Sequence, residues 1–274
     1  LNKVAVALHG LGRFDQALRT LDEERAIYQT LAAEDPEHAR WKERLAVNHG
    51  WAAAVLEMQG TTATAIEHLE AEQRIWNELT THDPSNAQWL RNRAMSVASM
   101  GNLQRIIGRL DDARRSYDAA LTLAGRLLEI DETQIPWRRD RASIQTGQGW
   151  LHLSRGDVAR AMIAAADATS TLRTILQAEP GEAATSRVLA NAEMLAAETS
   201  RRAGDEAAAR AAYRRVLDLT TRPSDFQSAG LRLRALIRLG LDDDAVAIRE
   251  QLNAAGVGHP DLATFLDSPK PAGG

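Results

Sequence analysis

Cysteine is absent from the 274-residue chain. That excludes a disulfide framework, a thiolate metal site and a thiol nucleophile. Lysine is almost absent as well: Lys3, Lys42 and Lys270 are the only three among 33 basic residues. With glycines placed singly, a phosphate-cradling Gly-rich loop with its lysine is not expected, and neither is nucleotide binding. No run approaches the roughly 18 apolar residues that span a bilayer, so no membrane segment is expected. A dense basic stripe is also missing, since the net charge is −4 and the isoelectric point near 6.0. Nucleic acid is therefore not an expected partner. Aromatics make up 4% of the chain.

The sequence also lacks any arrangement that would carry chemistry. His9, His38, His49, His68, His82, His152 and His259 form no metal-ligand spacing. Strand-like alternation is missing, so no serine sits on a strand-to-helix elbow, and the carboxylates are scattered without a convergent pair. The expectation is a non-enzyme with no catalytic residue, no cofactor and no metal. Neither an initiator Met nor a signal-peptide pattern opens the chain. The absence of cysteine leads to the expectation of a cytoplasmic location.

What is present is a strict cadence. Gly12, Gly60, Gly108, Gly156 and Gly204 stand 48 residues apart, and Ala17, Ala65, Ala113, Ala161 and Ala209 each follow five residues later. Self-similarity at such a period marks stacked supersecondary units, each burying its apolar face against a neighbour. Asp35-Pro36, Asp83-Pro84, Asp131 and Glu179-Pro180 recur in the same register. Asp and Pro there read as an N-cap and first helical position. The pattern predicts a first helix from Pro36 to Gln59, a turn at Gly60 and a second helix from Thr62 to Thr81. Small residues seven places before each glycine (Ala5, Ala53, Gly101, Gly149, Ala197) oppose mostly larger ones nine places after it (Leu21, Leu69, Tyr117, Ala165, Tyr213). Trp41, Trp89 and Trp137 keep the register too and read as core.

The small residue, turn glycine, alanine, large residue and closing proline together resemble the tetratricopeptide repeat, over residues 1 to about 255. That family has a 34-residue period, and this chain exceeds it by 14 residues (48 less 34). The excess is about seven residues per helix, nearly two turns, which adds about 10 Å while rotating the packing face by only about 20°. The resemblance implies an all-α fold, an α-α superhelix (solenoid) of long antiparallel helical hairpins. Residues 1–222 form the array. Gly240 and Ala245 come only 36 residues after the previous pair, so residues 223–267 read as a shorter capping unit. It is predicted as helices Ser224–Leu239 and Asp242–Ala255 with a short piece from Pro260 to Leu266. Residues 268–274 are expected to be a disordered tail. Leu1 falls in mid-helix by register, which leads to the expectation of more chain upstream.

In a superhelix like this one the inner face is lined by the first helices and receives a peptide or a partner's helix. Register places Arg91, Arg139 and Arg187 on that face, with Asn102, Arg105, Trp150, Asn191 and Arg201 beside them. Arginine forks and an exposed indole are frequent interface anchors. An acidic extended peptide or acidic helix is the partner this set implies, against the plainer reading of a solvated face paired with nearby carboxylates. The asparagine-and-lysine clamp of chaperone-binding tetratricopeptide proteins is not reproduced. The extended repeats and the ending Ile248-Arg249-Glu250-Gln251-Leu252 resemble C-terminal arrays of bacterial multidomain signalling proteins. That resemblance implies a sensor or recruitment half with a kinase, caspase-like or nucleotide-dependent effector upstream. A free-standing scaffold or homodimerisation module is the alternative.

Overall fold

The computed structural model describes residues 2–221, 223 and 225–267. Among them are thirteen α-helices and no strand. They are α1 (Asn2–Gly10), α2 (Phe14–Glu34), α3 (Ala39–Met58), α4 (Thr62–His82), α5 (Ala87–Ile106), α6 (Leu110–Ile130) and α7 (Ile135–Ser154). Next come α8 (Val158–Ala178), α9 (Ala183–Arg202), α10 (Glu206–Leu219), α11 (Phe226–Leu239) and α12 (Asp242–Ala254). A 3-10 turn at Pro260–Leu262 and a single helical turn, α13 (Ala263–Leu266), follow. The expected start at Ser224 and the expected tail 268–274 lie outside the described residues.

Consecutive helices pair as antiparallel hairpins, and the hairpins stack into an all-α superhelix. Each hairpin turn is closed by a glycine with positive φ, from +72° at Gly12 to +82° at Gly204. The alanine five residues on is fully buried in every unit, at Ala17, Ala65, Ala113, Ala161 and Ala209. Its methyl group is small enough for the two helices to close on each other. The large residue opposite fills the remaining space: a Cβ at Gly101 would lie 3.3 Å from the Tyr117 ring. Trp89 packs with Ala46, Trp76 and Leu79, and Trp137 against Leu123 and Leu127, so both tryptophans sit on the preceding unit's second helix.

The boundaries between units differ from the sequence expectation. Asp35, Asp83, Asp131 and Glu179 are C-caps that end α2, α4, α6 and α8, and the next helix begins four residues later. Three of the four precede a proline, which disfavours helical geometry at the residue before it. The freed carboxylate then organises the loop: Asp83 accepts from the Ser85 N–H and hydroxyl, and Asp131 does the same for Thr133. The first helices take their N-caps from His38, Asn86, Gln134 and Glu182, with Asn86 and Glu182 accepting from Trp89 and Thr185 N–H groups.

The first helices α5, α7, α9 and α11 touch one another in series and form the inner layer. The array then curls back on itself. Phe14 and Phe226 meet edge to face at 5.6 Å, and one apolar cluster unites Ala5, Ala17, Leu21 and Met58 with Leu233, Leu252, Val257, Leu262 and Phe265. The Gly258 N–H donates to the Met58 carbonyl at 2.9 Å. Residues 256–266 thus form a clasp joining the last unit to the turns of the first two.

Two of the early units bury a carboxylate. Glu24 accepts from Asn48 Nδ2 and the Asn2 N–H, and Glu72 accepts from Trp76 Nε1 and Ser96 Oγ. The same register positions hold Ala120, Ala168 and Val216 further along. Desolvation pushes the Glu72 carboxyl up to about 7, against the partial opposition of those two hydrogen bonds.

Two stability tests follow. The Gly60 and Gly108 turns share a φ of +78°, but a Cβ at Gly60 would lie 2.3 Å from the Gly258 carbonyl oxygen, whereas one at Gly108 meets nothing within 4 Å. In urea melts Gly108→Ala is expected to cost about 1–2 kcal/mol from backbone geometry alone. Gly60→Ala should cost clearly more, because it also forces the clasp away. For Glu72 the folded carboxyl holds its proton from the ordinary 4.5 up to about 7, so its favourable contribution is complete below 4.5 and is lost as pH rises through 7. Glu72→Gln should therefore match the parent near pH 4.5 and exceed it by about 1–3 kcal/mol at pH 8 in paired denaturation curves.

Candidate functional site

The inner layer carries the residues singled out by register, but it does not present them as one free basic stripe. Arg91 Nε donates to Asp140 at 2.5 Å, and Arg139 pairs with Glu182 at 2.9 Å and lies 3.9 Å from Asp140. Arg187 pairs with Asp225 at 3.1 Å, and Arg201 with Glu198 at 3.0 Å. Asp140 and Glu198 are buried, so these partners belong to the fold. Arg91, Arg139 and Arg187 each meet an acid of the next unit, and Arg201 meets one on its own helix.

A half-open cavity of about 200 Å³ remains where the inner layer meets the clasp. It brings together Asn102, Arg105, Trp150, Arg187 and Asn191 from the candidate set, while Arg91, Arg139 and Arg201 do not line it. Five first helices contribute: α3 gives Glu57 and Met58, α5 Asn102 and Arg105, α7 Trp150, α9 Arg187, Val188 and Asn191, and α11 Leu231 and Arg234. The clasp closes one wall with His259, Asp261 and Leu262.

That wall is built by charge and shape together. Arg105 Nη2 donates to Asp261 at 2.6 Å and to Asn102 Oδ1 at 3.0 Å, and the Asn102 amide donates to Glu57 at 2.7 Å. His259 Nε2 lies 3.3 Å from the same Glu57 oxygen. Leu262 rests on bare backbone: a Cβ at Gly230 would be 2.8 Å from it. Burial opposes charge on Arg105 and Asp261 alike, yet each sustains the other. Arg105 is held above the ordinary arginine value and Asp261 below the ordinary 3.8.

The opposite wall is less satisfied. Trp150 Nε1 donates to Asn191 Oδ1 at 3.1 Å, which fixes the amide so that its nitrogen is a spare donor. The Arg234 guanidinium stacks between Trp150, 5.1 Å from the ring centroid, and Phe265 at 5.6 Å. Among the described residues it has no hydrogen bond and no ion pair, and its Nε is buried without a partner. Desolvation lowers its pKa; Asp261 and Glu198 oppose that, and Arg238 and Arg105 add to it.

Arg234, His259, Asp261 and Phe265 were not foreseen as site residues. The available signal was an acid-apolar segment, Asp261-Leu262 with Phe265, that fits no repeat position. A second unforeseen feature is His49 facing His68, with Nδ1 atoms 3.0 Å apart. Desolvation first, then His68, Arg25 and Arg74, lowers His49 to about 4, and burial lowers His68 as well. Among the described residues no group of three or more His, Asp or Glu could hold a metal, and no helix is long and apolar enough to cross a membrane.

No protein-family model and no curated protein matches the sequence. Among solved structures the chain is similar to BtubC (BKLC) from P. vanneervenii, at 17% identity and a TM-score of 0.58 over 95% of this chain and 96% of that one. It also resembles the Rap conjugation gene regulator of plasmid pLS20 in complex with the Phr* peptide, at 15% identity and a TM-score of 0.48 over 94% and 73%. A third similarity, to the TPR2AB-domain:pHSP90 complex of yeast Sti1, has 15% identity and a TM-score of 0.29 over 97% and 96%. The first likeness is one of fold. The other two superpose too loosely to argue from.

The Arg105–Asp261 pair gives a direct test of the clasp. Asp261→Ala leaves a buried guanidinium uncompensated and is expected to cost about 1–3 kcal/mol, reduced from the fully buried case because Asp261 still reaches solvent. Asp261 sits below its ordinary value, so its contribution is present at neutral pH and is lost as pH falls below 3.8. The gap between parent and variant should therefore shrink at pH 3 in thermal melts.

Proposed function

We propose that the chain is a non-enzymatic protein-interaction module that takes a short segment of a partner polypeptide into the cavity between α7, α9, α11 and the clasp. The observation that carries this reading is the spare hydrogen-bonding capacity on Asn191 and Arg234 beside the Trp150 ring. Val188 and Leu231 supply apolar lining next to these polar groups. A few polar groups set in an apolar wall is the usual composition of a recognition site. At about 200 Å³ the space suits one or two side chains of an extended segment and is too narrow for a helix, which is about 10 Å across with its side chains.

In this reading residues 1–222 are the presenting array and residues 223–267 the unit that caps it and completes the site. A cytoplasmic recruiting half of a larger signalling protein is the finer form of this proposal and stands on the sequence resemblance.

Panning the full chain against a displayed random heptapeptide library tests it. Enriched peptides should bind in the micromolar range or tighter, and Val188→Asp together with Asn191→Ala should weaken them at least about tenfold, or 1.4 kcal/mol. Enrichment no greater than on an unrelated helical scaffold, or binding indifferent to both substitutions, overturns the reading.

A further inference from the structure

The charges that line the cavity are not all met in direct pairs. Its lining acids are Glu57 and Asp261, and its arginines are Arg105, Arg187 and Arg234. Asp261 is taken by Arg105, Glu57 by Asn102 and His259, and Arg187 is paired with Asp225. Arg234 is left over. A guanidinium stays protonated even when desolvated, so the wall between Trp150 and Phe265 carries one positive charge that no carboxylate of the described residues contacts. Leaving a charge unpaired in a partly dry site is unfavourable by itself. Residues kept at a cost to the fold are found where binding requires them.

The chain also displays the chemistry that fits such a wall. In the adjoining half of the cavity its own Asp261-Leu262 places a carboxylate on Arg105 and an isobutyl group on the bare Gly230 backbone. The other half repeats the ingredients. Arg234 stands for Arg105, Asn191 for Asn102, and Val188 with Leu231 forms the apolar patch.

We propose that this half of the cavity recognises an acidic residue followed by a branched apolar one in a partner peptide. Arg234 and the Asn191 amide receive the side-chain carboxylate, and Val188 and Leu231 receive the apolar side chain. The proposal rests on the interaction-module reading and deepens it by naming the recognised dipeptide. Guanidinium and amide donors to one carboxylate form charge-assisted hydrogen bonds, about twice as strong as neutral ones. The Trp150 ring and Phe265 hold the guanidinium plane in place, so little freedom is lost on binding.

The experiment is a titration of N-acetyl-Asp-Leu-amide into the 15N-labelled full chain, followed at the indole resonances of the six tryptophans. Trp150→Phe identifies the Trp150 resonance. That resonance should shift saturably, and N-acetyl-Asn-Leu-amide should bind at least about tenfold more weakly. In Arg234→Gln the preference for Asp over Asn should fall below about twofold, with a melting temperature equal to or above the parent's. The comparison of Asp and Asn dipeptides on the parent chain needs no variant and stands even if Arg234→Gln fails to fold. Equal binding of the two dipeptides, no shift at Trp150, or a preference that survives Arg234→Gln overturns the proposal. An equal response to sodium acetate overturns it too, because the leucine would then be idle. Heptapeptides that need Asn191 but show no acidic residue defeat this inference alone; a library that yields no binder defeats the reading beneath it.

Discussion

The close approach of two helices at a buried methyl group is the constraint on which everything else rests. Ala17, Ala65, Ala113, Ala161 and Ala209 are sealed from solvent, and each sits one turn into a helix whose entry is set by a left-handed glycine. Dispersion falls steeply with separation, so a larger side chain at any of these positions would part the hairpin and displace the stack beyond it. The residues one turn further along the same helices, Leu21, Leu69, Tyr117, Ala165 and Tyr213, vary as long as the volume against the facing helix is filled. This is why the small residue is strict and the large one is not.

The second force at work is the management of charge. Most inner-layer arginines singled out by register meet an acid, Arg91, Arg139 and Arg187 from the next unit, Arg201 from its own helix and Arg105 from the clasp, whereas Arg234 pairs with none among the described residues. Glu193, almost wholly buried, holds both Arg173 and Arg215, and Glu198 holds Arg201 and Arg238 while accepting from the Tyr213 hydroxyl at 2.9 Å. Removing any of these acids would leave cations without a counter-charge in a partly desolvated layer. The arginine-rich inner face is therefore chiefly an adhesive between units, and what it offers a partner is confined to the few groups this pairing leaves over.

The hairpins were legible because their determinants are local and repeat. A turn glycine, a methyl five residues on and a large residue nine residues on are read within one unit. The role of Asp35 and its equivalents was misjudged because Asp-Pro suits a helix start as well as a helix end. The choice is made by the torsions of the residue before proline, and an N-cap lies three residues downstream in each case. Arg105 and Asn102 were found by register, but the reason they matter was not. Their partners Asp261 and Glu57 come from opposite ends of the chain, and His259 meets Glu57 across 202 residues. No periodicity encodes such a meeting. It arises only when six hairpins have accumulated enough curvature to bring the last unit against the first two.

That meeting changes how the molecule responds to disorder. An open stack of repeats loses order from its extremities, because an end unit has one neighbour where an inner unit has two. Here the clasp gives the outer units a second neighbour, with Val257, Leu262 and Phe265 each adding roughly 1.5–3 kcal/mol of burial. Fraying at one extremity must then break contacts at the other, so loss of order in the array becomes closer to all-or-none than the one-dimensional architecture alone would allow.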